Sequence, residues 1–529
     1  MSAALSILLL SSGSSVYARE DNTSEANRAR IDKIVFHMMQ FNAKFPSRLC
    51  GNDYSGPSEE QRLEAEAMRI FQANAKEEMI AMGPRAIPLL MEGLNANCRL
   101  VQETMIDTLA VMGQPFFVEL EECLNDGSVS DFRGAGSDFP LIIEILKESK
   151  SDSSKLISDM LKSPKLNCKL FALEAMSKLR KNIPALSATV EKLAGDIHEN
   201  IRAAAVEALA VDAKSNKSHF DLVCRAIEND ETSLVRTKAI NAMSLFMREF
   251  SKEDQDKYKA LLLRVYETDH VKKVRDYASS SLGPNRLRRA NDEQNPTPVF
   301  RRAAKDSIYS RPLPKVVPLD AAKESAMNAA VLSILQQIKD EHRQMKANYN
   351  PRMNRTPEYR GSSNFNYYKY ERQARAKELE LRNLGPNALE ALIANSNVAN
   401  VDAEAACATA IKWFDYDALP FYSNALETTD DSLSLGSKIC SVGARANAVF
   451  EQVLSEGSEN AKLNVLAILS YQLPRLNHHK TIYNPIEVTP KLIKLVEKCI
   501  NSSNTKLSEE AKIVREQIDF SQCVLLTGH

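Results

Sequence analysis

DIHENIRAAAVEALA, running from Asp196 to Ala210, returns in altered form as DETSLVRTKAINAMSLF from Asp230 to Phe246 and as DHVKKVRDYASSSLG from Asp269 to Gly283. The copies lie about 35 residues apart, a period that belongs to helix-pair repeats. Each opens on an aspartate and carries a β-branched residue followed by an arginine: Asp196, Ile201 and Arg202; Asp230, Val235 and Arg236; Asp269, Val274 and Arg275. In the middle copy Val235, Ala239, Ala242, Met243 and Phe246 recur at spacings of three and four, which places them on one face of a helix. A single helix pair of this size cannot bury such a stripe alone, so the units must stack into a continuous core. The aspartate before each helix can cap free backbone N–H groups, and its charge suits the positive helix N-terminus. A degenerate copy at Ser163, Cys168 and Lys169 precedes the first, so the register begins upstream of Asp196.

These copies resemble the HEAT-repeat family. The resemblance implies an all-α chain, an α-solenoid of stacked antiparallel helix pairs. It also implies that each aspartate and the arginine six residues later form a polar ladder between neighbouring repeats. Asp196, Arg202, Asp230, Arg236, Asp269 and Arg275 are thereby expected to belong to the scaffold rather than to a ligand site.

At 529 residues the chain exceeds one ordinary core, so it is either several domains or a repeat array. Glycine is sparse, with 17 residues, and the abundant Ala, Leu, Glu and Lys favour helix without appeal to the repeats. A formal net charge of −1 implies no globally acidic or basic partner. Residues 1–18 hold a short apolar core and small residues before Arg19, the pattern of a signal peptide, although a basic leading segment is missing. An exported protein, periplasmic or secreted, is therefore expected. No later run is long and apolar enough to span a membrane. All nine cysteines follow residue 18, and none forms a C-x-x-C pair, so no metal site or other cofactor is expected. Most lie in apolar helical patterns and read as buried thiols, with Cys50 in a loop the exception.

Residues 24–283 read as an N-terminal HEAT-like array. Gly83-Pro84 separates a long helix opened by Ser58 from the next, whose partner carries Gln102 in place of the arginine. The Gly- and Ser-rich segment 125–138 has helices on both sides, so it reads as a loop rather than a phosphate cradle. Residues 284–372 form a basic, Pro-rich insert, in which eight prolines forbid continuous helix except near 320–345. Helical pattern resumes near Tyr370, and 373–529 reads as a divergent C-terminal array. It opens with a second Gly-Pro junction at Gly385 and includes a helix over 433–456.

The end of the insert mixes cations with aromatics: Arg352, Arg355, Tyr359, Arg360, Tyr367, Tyr368, Lys369, Tyr370 and Arg372. Rings that stack on bases and cations that follow phosphates would suit a single-stranded nucleic acid. For an exported chain an anionic glycan or cell-wall polymer is the better ligand. The same composition also fits a linker lying across the chain's own solenoid. No Gly-x-Ser-x-Gly elbow, Walker loop or His-Glu-x-x-His motif is present, and the adjacent His478 and His479 would point apart on extended backbone. Trp413 with Asp415 and Asp417 loosely resembles the aromatic and carboxylate site of HEAT-like DNA glycosylases, but a lone tryptophan at a helix end suits core packing. Constellations assembled from distant residues leave no sequence motif. The reading is a non-enzymatic scaffold that binds another protein on its curved surface. The alternatives are a polyanion-binding protein acting through the Arg/Tyr segment and, more distantly, a HEAT-like enzyme such as a DNA glycosylase or bilin lyase.

Overall fold

The computed structural model describes residues 22–44, 59–126, 139–282, 313–314, 316, 319–348, 357–396, 401–442, 445–473 and 488–527, with single gaps at 97, 182, 270 and 430. No strand occurs among them. The helices in chain order are α1 Asn22–Lys44, α2 Glu59–Ala81, α3 Ile87–Gly93, α4 Arg99–Met112, α5 Gln114–Asp126, α6 Phe139–Glu148, α7 Ser154–Lys162 and α8 Leu166–Lys178. Then come α9 Ser187–Leu193, α10 Glu199–Ala210, α11 Lys217–Asn229, α12 Ser233–Phe246, α13 Lys252–Thr268 and α14 Lys272–Leu282. After α15 Ala321–Asn348 and α16 Pro357–Asn383 follow α17 Leu389–Ala394, α18 Val401–Trp413, α19 Leu419–Thr428 and α20 Ser432–Ser441. The last four are α21 Ala446–Glu456, α22 Glu459–Gln472, α23 Pro490–Ile500 and α24 Thr505–Thr527.

Local chemistry sets the corners. Gly83 and Gly385 hold φ of 73° and 80°, a left-handed conformation that favours glycine, and the proline after each begins a short 3-10 turn with its φ already fixed. Side-chain caps start several helices: Asn216 accepts from Ser218 N and His219 N, Thr232 from Val235 N, and Ser458 from Ala461 N.

The described chain forms two compact units. One holds residues up to Phe171 together with Ile334–Glu380. In it α2, α4 and α6 stack in one layer, α3, α5 and α7 in another, and α1 packs on α2, α3 and α4. The other holds Ala172–Ser333 and Leu381 onward. Its HEAT-like part stacks α10, α12 and α14 in one layer, with α11 and α13 in the other. In its C-terminal part α17, α19, α21 and α23 form one layer, while α20, α22 and α24 form the second. Within this unit Tyr416 stacks on His198 at 4.5 Å, donates to the buried Glu199 carboxylate and lies under the Arg445 guanidinium at 5.6 Å. That contact ties the C-terminal part to the first turn of α10.

Two expectations need correction. The Arg/Tyr segment is not linker as far as Tyr370, because α16 starts at Pro357 and the boundary placed at 372/373 falls inside a continuous helix. Proline is tolerated in a first helical turn, and none follows until Pro386, so the composition hid a permitted helix. The helix expected over 433–456 is two: α20 ends at Ser441 and α21 starts at Ala446. The leader at 1–18, the Gly-rich loop at 127–138, most of the proline-rich insert, His478, His479 and Cys50 lie outside the described residues. Among the described thiols Cys98, Cys123, Cys168, Cys407 and Cys499 are buried, while Cys224 and Cys440 are partly exposed.

Candidate protein-binding surface

The repeated arginines face inward. Arg202 Nε and Nη2 donate to Asp230 Oδ2 and Oδ1 of the following repeat at 2.8 and 3.0 Å, while Nη1 donates to the Asp196 carbonyl at 2.8 Å. Arg236 likewise meets Asp269, with Nη2 donating to Oδ1 at 3.1 Å and Nε paired in charge with Oδ2 at 2.9 Å, and its Nη1 donates to the Asp230 carbonyl at 2.8 Å. Arg275 Nη1 donates to the Asp269 carbonyl at 2.7 Å. Each aspartate also accepts the backbone N–H two residues on, from His198, Thr232 and Val271, all at 2.9 Å. One planar guanidinium thus closes the end of its own helix pair and holds the next, which a lysine could not do bidentately. Elsewhere amide side chains make different carbonyl contacts: Gln102, at the arginine's position, donates to Leu94 O at 3.0 Å, and Asn167 and Asn464 donate to carbonyls far upstream, Leu124 O at 3.1 Å and Leu426 O at 2.9 Å.

The predicted Arg/Tyr segment is divided. Arg352 and Arg355 lie outside the described residues, and Tyr359 and Arg360 lie in α16 with side chains that are not described. Tyr368 and Tyr370 are buried, and Arg372 donates to Asp32 Oδ1 at 2.7 Å and lies 3.6 Å from Glu92. Phe365 meets Phe36 edge-on at 5.1 Å, with Lys369 over its ring at 4.5 Å. Tyr367 alone of the described tyrosines in this run is largely exposed, at 46 %. The arrangement docks α16 onto α1 and α3 and commits the Arg372 charge to carboxylates. Trp413 is covered by the Arg382 guanidinium at 5.0 Å. Among the described residues no group of His, Cys, Asp and Glu could hold a metal ion, and no helix is long and apolar enough to cross a membrane.

A surface that the sequence did not reveal lies in the C-terminal part. The Asp431 side chain caps α20 by accepting from Ser434 N at 3.0 Å. Gly436 lets this helix approach α22 closely, since a Cβ there would stand 2.6 Å from Ile468. Between α18, α20 and the end of α22 a groove of about 480 Å³ remains. Its polar lining includes Glu404, Ser434, Ser437 and Lys438, and Leu433 and Tyr471 add half-exposed apolar surface, at 41 % and 38 %. Lys438, only 9 % exposed, donates to Ser396 O at 2.9 Å and to the hydroxyls of Ser396 and Ser434 at 3.1 Å, with Glu404 3.7 Å away. Burial pushes its ammonium below the ordinary lysine range, against the charges of Glu404 and Asp431. Such a groove offers hydroxyl and carboxylate partners to a backbone and two apolar faces to side chains. The only sequence trace is Ser434, Ser437 and Ser441 on one helical face, and the other walls come from distant segments.

Residues 186–283 match the family model described as HEAT repeats. Over that stretch the chain carries HEAT repeats, in the helices where the Asp/Arg register predicts them. Solved structures align over most of the chain at low identity. A Kap95:Nup1 complex aligns at 10 % identity, covering 94 % of this chain and 66 % of that one, with a TM-score of 0.29. Importin beta in a polyethylene glycol condition aligns at 12 %, covering 97 % and 73 %, with a TM-score of 0.24. An engineered protein aligns at 13 %, covering 93 % and 99 %, with a TM-score of 0.21. No curated protein matches the chain in sequence.

Proposed function

We propose that this chain is a protein-binding scaffold and that the groove between α18, α20 and α22 is where a partner docks. The observation that carries the reading is the groove itself: an open, nearly charge-balanced surface on a stacked-helix frame, with Tyr471 and Leu433 presented beside hydroxyl groups. Half-exposed tyrosine next to satisfiable polar groups is the composition of binding anchors rather than of inert surface. A photoreactive residue replacing Ser437 is expected to give one discrete crosslinked protein partner. The adduct should disappear when Leu433→Asp and Tyr471→Asp are added. The same probe at the exposed Lys257 of α13 should give none. Equal adducts from both positions, or an adduct indifferent to the two substitutions, would remove the groove from the account.

A further inference from the structure

A second constellation lies where α9, α10 and α11 meet, and the scaffold reading makes no use of it. Ser187 opens α9, Asp212 follows α10, and His219 lies in the first turn of α11. Ser187 Oγ is 2.7 Å from His219 Nε2, and Nδ1 of the same ring lies 3.3 Å from Asp212 Oδ2, an ion-pair contact without hydrogen-bond geometry. The other oxygen of Asp212 accepts from Ser215 Oγ at 2.7 Å, which holds the carboxylate in place. His219 is 2 % exposed, whereas Ser187 is half-buried. Hydroxyl, imidazole and carboxylate in this order allow the ring to take the hydroxyl proton while the carboxylate stabilises the imidazolium that forms, and such contacts are often loose before a substrate is bound. Glu191 Oε1 lies 3.0 Å from Nε2 and 3.5 Å from Ser187 Oγ. Once Nε2 carries a proton, that carboxylate is a further acceptor for it. Its charge also disfavours an anionic acyl group beside Ser187.

We propose that Ser187 is an activated nucleophile which takes the acyl group of a neutral carboxylic ester, with His219 as its base and Asp212 as a positioning residue. Ser187 Oγ bonds to the ester carbonyl carbon as its proton passes to Nε2. The bond from that carbon to the leaving oxygen then breaks, and the Nε2 proton goes to the departing alkoxide, giving Ser187 ester and free alcohol. The three side chains supply an acylation step, so covalent capture is the readout. It is independent of whether the groove binds a partner.

The test uses the full-length chain and p-nitrophenyl acetate, following p-nitrophenol release and the mass of the peptide that carries Ser187. One acetyl on Ser187 is expected in the folded chain, with none in urea. Ser187→Ala should abolish it, and His219→Gln should slow it about 10²-fold or more, the range of a lost general base. Should His219→Gln fail to fold, Asp212→Asn replaces it, and there a slower reaction with an altered pH–rate profile is expected. Absence of acetyl on Ser187 in the folded chain overturns the proposal. So does persistence in urea, or a rate and pH profile unchanged in whichever of the two variants folds.

Discussion

Arg236 and its partner Asp269 are both fully buried, and the same guanidinium bonds the carbonyls of Asp230 and Glu231. Replacement by a hydrophobic pair leaves such a site near neutral only when both charges go together, so loss of one partner is the costly change. Arg236→Ala is expected to lower the unfolding free energy by about 3–5 kcal/mol. A urea titration measures it, and a change under about 1 kcal/mol would mean that the ladder is ornamental. Glu92 makes a pH prediction. Burial raises its carboxyl above the ordinary range, the nearby Asp32 charge raises it further, and Arg28 and Arg372 act against both. Between the unfolded value and this raised folded value the native state holds more protons than the unfolded one. Stability from Glu92 therefore rises as pH falls through that window and is flat well above it. Glu92→Gln should remove that part of the slope when unfolding midpoints are followed from pH 7 to 4, and an identical slope would refute the assignment. At this scale sequence was informative only where a residue recurs. The Asp/Arg pairs were legible because they return three times, while the carbonyl contacts of Gln102 and Asn167 share no residue type and left no pattern.

Among elements, α16 shows why composition misleads. Its first half mixes Gly361, Ser362 and Ser363 with arginine and tyrosine, and of these only arginine favours helix. Phe365, Tyr368 and Arg372 nevertheless fall at helical spacing, and docking on Phe36, Asp32 and Glu92 rewards the helical form. Tertiary contact decided an element that local propensity left open. The α20–α22 packing is the converse, a contact that depends on one missing methyl group. Gly436→Ala would press a Cβ against Ile468, where the nearest atoms stand at 2.6 Å. An overpacking cost of about 1–3 kcal/mol is expected, mostly recovered in the double variant with Ile468→Ala. Thermal melts of the two single variants and the double test it, and a purely additive loss would show that the two side chains do not meet.

For the whole molecule, the repeat register over Asp196–Gly283 and the family match over 186–283 describe the same helices, α10, α12 and α14 among them. That part was legible because stacking demands the same apolar face and the same polar link in every unit. The C-terminal part keeps the stacking but not the Asp/Arg link, so its helices were visible and their mutual geometry was not. The groove depended on that geometry. Glu404, Ser437 and Tyr471 come from three separate helices, and no local pattern could have joined them. The claim that this groove is the working surface is tested most directly by hydroxyl-radical footprinting of the chain, alone and with the partner captured through Ser437. Tyr471 and Leu433 should be oxidised in the free chain and protected in the complex, while the exposed Leu63 and Ile70 of α2 stay equally reactive in both. Unchanged oxidation of Tyr471 and Leu433 in the complex, with protection elsewhere, would contradict the account.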